Sequence, residues 1–207
     1  LLVLAGFFDA LDGFVARATG TSSEFGVQLD SIADVMNFGC APALLLYTYG
    51  FVPLGADYPI LLRFGGFACF MFVACGALRL ARFNVSVGRT DPRYFVGMPI
   101  TAGAACVASV VVAWPDAANS LLHAIGVIVL MVSVGGLMVS TIRFPSSKQP
   151  MNKLVIALIV IGLALLAWLQ MRFFVLFFLL YISVTLLVNI GWKLGWRGLA
   201  PPKVYTD

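Results

Sequence analysis

The fold of this chain is decided by two short stretches, DALDGFVAR at residues 9–17 and, after eight further residues, GVQLDSIAD at residues 26–34. Each stretch contains two carboxylates, three residues apart in the first and four apart in the second, within sequence that is apolar on both sides. These carboxylates are Asp9, Asp12, Asp30 and Asp34. On an α-helix both spacings place the paired side chains on one face, so we expect two helices that each present a carboxylate pair.

The residues between the two stretches predict a turn. Gly20 can end the first helix, and Thr21 with Glu24 can form a capping box that begins the second. Counted outward from this turn, the carboxylates lie between five and ten residues into their helices. With a rise of about 1.5 Å per residue, all four then reach a similar depth. The sequence therefore predicts a helical hairpin whose four carboxylates converge on one site.

Four carboxylates in apolar sequence need a counter-charge. One Asp at the centre of a bilayer costs roughly 2.5–3.5 kcal/mol on insertion scales, and like charges one helical turn apart repel each other. Divalent cations remove this cost, since carboxylate oxygens suit hard ions such as Mg²⁺ or Mn²⁺, and Mg²⁺ commonly links carboxylates to substrate phosphates. We therefore predict a metal site rather than a solvated acidic loop, for which the flanks are too apolar, or an EF-hand, whose alternating ligands are missing.

The composition indicates a membrane protein. Of the 207 residues, 61% are hydrophobic and 11% are charged, and the mean hydropathy is +1.01, values that a soluble domain of this size would not tolerate. The expected fold class is all-α, a polytopic transmembrane helical bundle, and residues 1–207 form a single domain because no linker separates the apolar segments. Seven spans are predicted, at residues 1–17, 25–50, 59–83, 96–114, 120–141, 152–170 and 172–193.

The basic residues predict the orientation in the membrane. Eleven of the thirteen Lys and Arg residues fall on the side where the carboxylate hairpin opens, and only Arg63 and Arg172 fall on the other. By the positive-inside rule the side with eleven is cytoplasmic. Two of these eleven, Arg79 and Arg82, lie three apart at the end of a long apolar segment, where an unpaired guanidinium is unfavourable. We expect a bound anion or the aspartate cluster to be their partner.

Cysteine and histidine form no recognisable site. The four cysteines lie in apolar segments without the paired spacing or the histidine partners of a zinc site, and we interpret them as small core residues. His123 is the single histidine and begins an apolar segment opposite the predicted chemistry. We therefore expect it to pack or to lie at the surface, rather than to act in catalysis.

The arrangement DxxDGxxARx8GxxxDxxxD, which starts at Asp9, resembles the complete signature of the CDP-alcohol phosphotransferases. Three further blocks resemble the bacterial phosphatidylserine synthases within that family, namely DSIADVMNFGCAPA at 30–43, LRLARFN at 78–84 and FVGMP at 95–99. Together they carry the resemblance from about residue 1 to about residue 105. One departure is Asn37, where a serine is expected more often.

This resemblance implies a reaction and roles for named residues. The phosphatidyl group of CDP-diacylglycerol would pass to the hydroxyl of L-serine with release of CMP, at a site with two Mg²⁺ or Mn²⁺ ions that faces the cytoplasm at the inner membrane. Asp9, Asp12 and Asp30 would be metal ligands, and Asp34 both a ligand and the general base. The residues implied for CDP binding are Gly13, Ala16, Arg17 and Gly26. The resemblance also implies a homodimer and an eighth membrane helix before Leu1.

A serine acceptor needs a partner for its carboxylate, and arginine suits bidentate binding of that group. Arg79 or Arg82 can supply it, with Asn84 and Asn37 as further polar contacts, and the spacing does not choose between the two arginines. Residues 1–50 are thus expected to carry the catalytic hairpin. Residues 106–207 carry no motif, and we expect them to form mainly scaffold and a possible dimer surface.

Three alternatives remain open from the sequence. A cation or proton transporter would also place acids in the membrane, although little that ionises marks a route through the opposite half. A membrane prenyltransferase would need a second Asp-rich motif far along the chain, and residues 100–207 offer only Asp116 and Asp207. Within the family, another acceptor alcohol or an archaeal ether-lipid donor would fit the same signature.

Overall fold

The computed structural model describes residues 23–86, 94–115 and 120–145, together with 181–183, 185–187, 189–191 and 194. Most of them are helical, and we number the helices α1 (Glu24–Asp34), α2 (Ala41–Gly50), α3 (Pro59–Ser86), α4 (Ile100–Ala113) and α5 (Leu121–Val139). A π-helical segment (Val35–Cys40) joins α1 to α2, and a short 3-10 helix (Val52–Leu54) follows α2. Two short strands are β1 (Tyr94–Val96) and β2 (Arg143–Pro145), and a further apolar helix covers Tyr181–Gly191.

α1 begins at a side-chain cap. Ser23 is the N-cap, and its Oγ accepts a hydrogen bond of 3.1 Å from the Gly26 N–H. The prediction that Thr21 would cap this helix is wrong, because Glu24 is already its first residue and the Ser23 hydroxyl reaches the third helical amide. Glu24 in the first turn also suits the positive end of the helix dipole.

The π-helical segment is explained by the proline that follows it. Pro42 has no N–H to donate, and in a regular α-helix its ring would clash with the carbonyl of Phe38, four residues earlier. A wider turn relieves this clash, and the Ala41 N–H accordingly donates to the Met36 carbonyl, five residues back. Phe38 and Gly39 are buried in the widened turn, with Gly39 against Val73 of α3.

α3 is the central helix and packs most extensively against α5. Small residues allow this close packing, since Gly135 of α5 lies against Phe72 and Cys75 of α3, and Gly65 of α3 lies under the ring of Phe51. The cysteines are free and half-buried or buried, as expected for core residues. In the described part of the chain, the largest fully buried side chains include Phe51, Phe72, Phe144, Leu46, Met98, Ile100, Met131 and Met138.

Among the described residues, three helical stretches are long and apolar enough to cross a membrane, Glu24–Leu54, Pro59–Ser86 and Leu121–Val139. They correspond to the predicted spans 25–50, 59–83 and 120–141. The predicted spans 1–17 and 152–170 lie outside the described residues, and 172–193 lies only partly within them. The total of seven spans, the eighth upstream and the single-domain organisation therefore stay predictions.

An antiparallel pair of strands is the departure from an all-helical fold. β1 pairs with β2 so that Tyr94 lies opposite Pro145, Phe95 opposite Phe144 and Val96 opposite Arg143. The first four residues of the predicted 96–114 span, residues 96–99, end β1 or follow it, so α4 begins at Ile100 and has 14 residues. The ribbon lies at the end of the bundle where α3 and α5 both terminate, because β1 precedes α4 and β2 follows α5.

Candidate active site

One face of α1 carries the second half of the carboxylate pattern. Gly26, Asp30 and Asp34 recur at intervals of four residues, which places them along one side of the helix. Asp30 is exposed and Asp34 is half-buried. Asp34 is the last residue of α1, at the point where the π-helical segment begins. The first half of the pattern, made of Asp9, Asp12, Gly13, Ala16 and Arg17, lies outside the described residues.

A pair of polar side chains fastens this face to the end of α3. Asn84 donates from Nδ2 to the Ser31 hydroxyl at 2.9 Å, and that hydroxyl donates to the Val27 carbonyl at 3.0 Å. Ser31 directly follows Asp30 in the chain. Asn84, which the sequence offered as a contact for the acceptor, therefore also fixes the end of α3 relative to the aspartates.

Arg79 is the buried charge of this region, with 7% of its surface exposed. The charges of Asp34 and Arg82 both act on its guanidinium, the first favourably and the second unfavourably. Its Cζ lies 5.2 Å from the centre of the Phe83 ring and 5.7 Å from that of the Phe95 ring. Within the described part of the chain, its Nε has no hydrogen-bond partner.

Arg82 is used differently, because its guanidinium binds main-chain carbonyls. Nη1 donates to the Val139 carbonyl at 2.7 Å, and Nη2 donates to those of Val96 at 2.9 Å, Ser140 at 2.9 Å and Met138 at 3.2 Å. Three of these carbonyls belong to the C-terminal end of α5, whose last carbonyls lack helical partners and carry the negative end of the dipole. Arg82 thus joins the ends of α3, α5 and β1.

Gly97 makes this arrangement of Arg82 possible. Its φ of +80° is in the left-handed region, which favours glycine. A Cβ at this position would overlap the Met138 carbonyl oxygen and the Arg82 Nη2. The Gly97 N–H also donates to the Ile142 carbonyl at 2.8 Å, which continues the ribbon contacts. The glycine of the FVGMP block is therefore required by close packing of backbone and guanidinium.

Asn37 lies in the π-helical segment, three residues after Asp34, and is half-buried. A π-helical turn alters which side chains share a face, so the spacing of Asn37 from Asp34 does not follow the regular α-helical pattern.

The structure brings Asp34, Arg79, Arg82 and the Asn84–Ser31 pair to one end of the bundle. The two arginines make different contacts there, since Arg82 binds main-chain carbonyls and Arg79 packs against aromatic rings.

Residues that the sequence did not single out also belong to this end. Ser31 is one, and Phe83 and Phe95 beside Arg79 are the others. Phe83 could have been found from its position four residues after Arg79, since such pairs meet on a helix. Phe95 could not, because only the fold brings β1 to α3.

The donor chemistry of the described aspartates fits a hard divalent cation. Carboxylates at positions i and i+4 on α1 can both face one ion, and Mg²⁺ and Mn²⁺ prefer oxygen ligands. Among the residues that the structure describes, no three His, Cys, Asp or Glu side chains gather into a site. Asp9 and Asp12, the other two predicted ligands, lie outside the described residues, so the four-carboxylate metal site stays a prediction.

At the opposite end of the bundle, the side-chain contacts between described residues join aromatic rings and do not include an Asp or Arg side chain. The Tyr49 hydroxyl donates to the Trp114 carbonyl at 2.7 Å and lies 3.3 Å from His123 Nε2. The His123 ring also meets the rings of Tyr49 and Trp114 edge-on, which agrees with the expected packing role. A cavity of about 370 Å³ lies beside His123, between apolar residues of α4 and α5.

Comparison with known proteins finds relatives whose names describe closely related enzymes. The chain is 42% identical over 155 residues, 72% of its length, to the CDP-diacylglycerol–serine O-phosphatidyltransferase of Helicobacter pylori strain J99, of which it covers 60%. It is 41% identical over 166 residues, 80% of its length, to the enzyme of the same name from Methanocaldococcus jannaschii, of which it covers 70%. To the archaetidylserine synthase of Methanothermobacter thermautotrophicus it is 35% identical over 147 residues, which are 70% of this chain and 56% of that protein.

The chain thus spans about 60% of the length of the Helicobacter relatives that it matches. The family model described as CDP-alcohol phosphatidyltransferase matches residues 1–139, which include the aspartate pattern and the ends of α3 and α5. Together with the three apolar helices, this match identifies an integral membrane protein. The chain belongs to the CDP-alcohol phosphatidyltransferase family.

Proposed function

We propose that this protein transfers the phosphatidyl group of CDP-diacylglycerol to the hydroxyl of L-serine and releases CMP. The relatives named as serine phosphatidyltransferases support this assignment. The observation that carries it is the buried Arg79, whose Nε has no hydrogen-bond partner among the described residues and whose guanidinium is attracted by the charge of Asp34. Arg79 can bind the serine carboxylate while Asp34 accepts the serine proton. An acceptor without a carboxylate would leave Arg79 without this partner.

In the proposed reaction the serine oxygen forms a bond to the phosphorus that carries diacylglycerol, and the bond from that phosphorus to the CMP oxygen breaks. Asp34 accepts the hydroxyl proton as the oxygen attacks, and the leaving CMP takes the electron pair of the broken bond. Arg79 binds the serine carboxylate and thereby orients its hydroxyl. The hydrogen bond from Asn84 to Ser31 fixes the position of α1 relative to α3 beside the proposed acceptor site.

Members of this family generally depend on a divalent metal. We propose Asp9, Asp12, Asp30 and Asp34 as the residues that would hold two divalent ions, Mg²⁺ or Mn²⁺. A bound cation of this kind supplies electrostatic stabilisation of charge on the diphosphate. Gly13, Ala16, Arg17 and Gly26 are proposed to bind the CDP moiety, and Gly26 lies one turn before Asp30 on the same face.

Of the proposed acceptor contacts, the structure favours Arg79 over Arg82. The guanidinium of Arg82 donates to four main-chain carbonyls, whereas the Nε of Arg79 has no hydrogen-bond partner among the described residues. Asn37 remains a proposed further contact. We also propose a site that faces the cytoplasm at the inner membrane, because Arg79, Arg82 and Arg143 lie at the end of the bundle that carries Asp34. A homodimer, with residues 106–207 as scaffold and dimer surface, is proposed from the family resemblance.

The test is CMP release by the purified protein in lipid nanodiscs. We expect release from CDP-diacylglycerol that requires L-serine, is abolished by EDTA, and is restored by Mg²⁺ or Mn²⁺. Ethanolamine, glycerol 3-phosphate and inositol phosphate serve as matched acceptors, and each should give far less CMP than serine. Release that is equal with a phosphorylated acceptor, or none with serine, would refute the assignment. Cation flux through the same membranes without CMP release would instead favour a transporter.

A second lipid donor should be tested in the same assay, because one relative is named as an archaetidylserine synthase. A CDP-activated archaeal ether lipid should be compared with CDP-diacylglycerol at equal concentration. The proposed site residues would bind either donor, since both donors carry the same CDP group and differ in the ester or ether linkages of their lipid chains. The preferred donor is the one with the higher kcat/KM.

A further inference from the structure

We propose that Phe83 and Phe95 form an aromatic clamp that holds the Arg79 guanidinium in the orientation needed for the acceptor carboxylate. In this role Phe95 is a positioning residue for acceptor selection, and the inference rests on the function proposed above. The clamp is defined by the two neighbouring rings and the guanidinium that packs against both of them. It depends on β1, an element that the aspartate motif does not include.

The geometry of the three groups supports a clamp. The Arg79 Cζ lies 5.2 Å from the Phe83 ring centre and 5.7 Å from the Phe95 ring centre, both within the range of cation–π attraction. The two ring centres are 6.1 Å apart and their planes are inclined by 59°. Two rings from different elements therefore restrict the same guanidinium.

The ribbon fixes Phe95 where it is needed. Phe95 is the central residue of β1 and pairs with Phe144, whose side chain is fully buried. The next carbonyl, that of Val96, accepts from Arg82 at 2.9 Å. On the other strand, Asn189 exchanges two hydrogen bonds with the main chain of Arg143, at 3.0 and 2.9 Å. Phe95 is thus held through its backbone from both strands.

The clamp has a chemical consequence for the ligand. Aromatic rings attract a guanidinium through their faces but provide no hydrogen-bond acceptor that competes for its N–H groups. The N–H groups lie in the guanidinium plane, so a carboxylate can bind them edge-on in the bidentate geometry. The Arg79 Nε, which lacks a hydrogen-bond partner among the described residues, marks an N–H that a carboxylate oxygen can accept from. The ring contacts therefore hold the guanidinium without occupying the N–H edge that a carboxylate would bind.

The experiment compares Phe95→Leu with Phe95→Tyr in the CMP-release assay. Leu keeps an apolar side chain but removes the ring, and we expect the apparent KM for serine to rise roughly three- to tenfold, as loss of a partly buried cation–π contact predicts. Tyr keeps the ring and should restore the wild-type KM. The KM for CDP-diacylglycerol should not change in either variant. Phe70→Leu removes an exposed ring from α3 and is the matched control.

A purely structural role for Phe95 predicts another pattern, in which the KM values of serine and CDP-diacylglycerol rise together and Tyr does not rescue. That result would overturn the proposal, and so would an unchanged serine KM in a folded Phe95→Leu protein. If Phe95→Leu does not fold, Phe83→Leu gives the same test at a partly exposed position, with the same expected rise. Ethanolamine, which lacks the carboxylate, should be used equally by the wild type and both Leu variants.

Failure of the proposed function looks different. The wild type would then give no serine-dependent CMP, and the clamp would have no carboxylate to orient. A wild type that is active with serine, combined with a Phe95→Leu variant of unchanged serine KM, would retain the proposed function and remove only the clamp.

Discussion

Arg79 and Tyr49 lie at opposite ends of one helical bundle, and the two ends satisfy their polar groups in different ways. The arginine end, defined by Asp34, Arg79 and Arg82, contains a buried cation whose interactions are electrostatic and aromatic. The aromatic end, defined by Tyr49, Trp114 and His123, contains ring side chains joined by hydrogen bonds and edge contacts. We propose that the first arrangement binds an anionic ligand, whereas the polar contacts described for the second are made within the fold.

This difference shows how buried polarity separates binding from packing. A buried charge that folding alone required could be replaced by apolar side chains with little loss, and often with a gain, in stability. We therefore propose that the buried Arg79 binds a ligand and does not serve packing alone. The Tyr49 contact, in contrast, satisfies a main-chain carbonyl next to Pro115 and has a structural explanation. Changes at the two ends should then affect different measurements.

The largest effect is expected for Asp34→Asn at the arginine end. Asn keeps the shape but cannot accept the serine proton as a base, so kcat should fall roughly 10²- to 10⁴-fold. Asp57→Asn, at an exposed position between α2 and α3, is the matched control and should change kcat by less than about twofold. Rates of CMP release under saturating serine and CDP-diacylglycerol give both values. A folded Asp34→Asn protein with more than about a tenth of the wild-type rate would contradict the base assignment.

A smaller effect is expected when the two arginines are each replaced by Lys, and it should distinguish them. Arg79→Lys keeps the charge but loses the planar fork, so the KM for serine should rise about tenfold with little change in stability. Arg82→Lys cannot reach four carbonyls, so the free energy of unfolding should fall by about 1.5–3 kcal/mol while the serine KM changes less. Thermal unfolding in detergent and serine titrations measure the two quantities.

Arg63→Lys, an exposed change near the start of α3, is the control for both variants. The reverse outcome would be informative. If Arg82→Lys raised the serine KM at unchanged stability, and Arg79→Lys did not, Arg82 would be the acceptor contact and the distinction drawn from the carbonyl contacts would be wrong.

Local spacing explains what could be predicted from the sequence. Asp30 and Asp34 share a face of α1 because their separation of four residues fixes it, whatever the rest of the chain does. The break between α2 and α3 was equally predictable, since α3 begins at Pro59, where proline suits the first helical turn. Pro42 could also have indicated the π-helical segment before it, but the sequence analysis predicts only an uninterrupted span over residues 25–50.

Contacts between distant parts of the chain explain what could not be predicted. Arg79 and Arg82 have similar sequence surroundings, and their different use depends on carbonyls at the end of α5, up to 58 residues away. The ribbon that places Phe95 has three residues in each strand, too few for an alternating pattern to appear. The cap at Ser23 rather than Thr21 reflects a choice among neighbouring hydroxyl residues that propensity does not resolve.

The smallest effect is expected for Tyr49→Phe at the aromatic end. The Tyr49 hydroxyl has one hydrogen, which it donates to the Trp114 carbonyl, so His123 must donate from Nε2 if it is to bind the Tyr49 oxygen. Removal of the hydroxyl should lower the free energy of unfolding by about 1 kcal/mol, the usual net value of such a bond. The serine KM and kcat should equal those of the wild type, because the proposed substrate site lies at the other end of the bundle. Tyr58→Phe, at an exposed position, is the control for loss of a hydroxyl. A changed serine KM in Tyr49→Phe would mean that the two ends are coupled through α3 and that the separation of binding from packing does not hold.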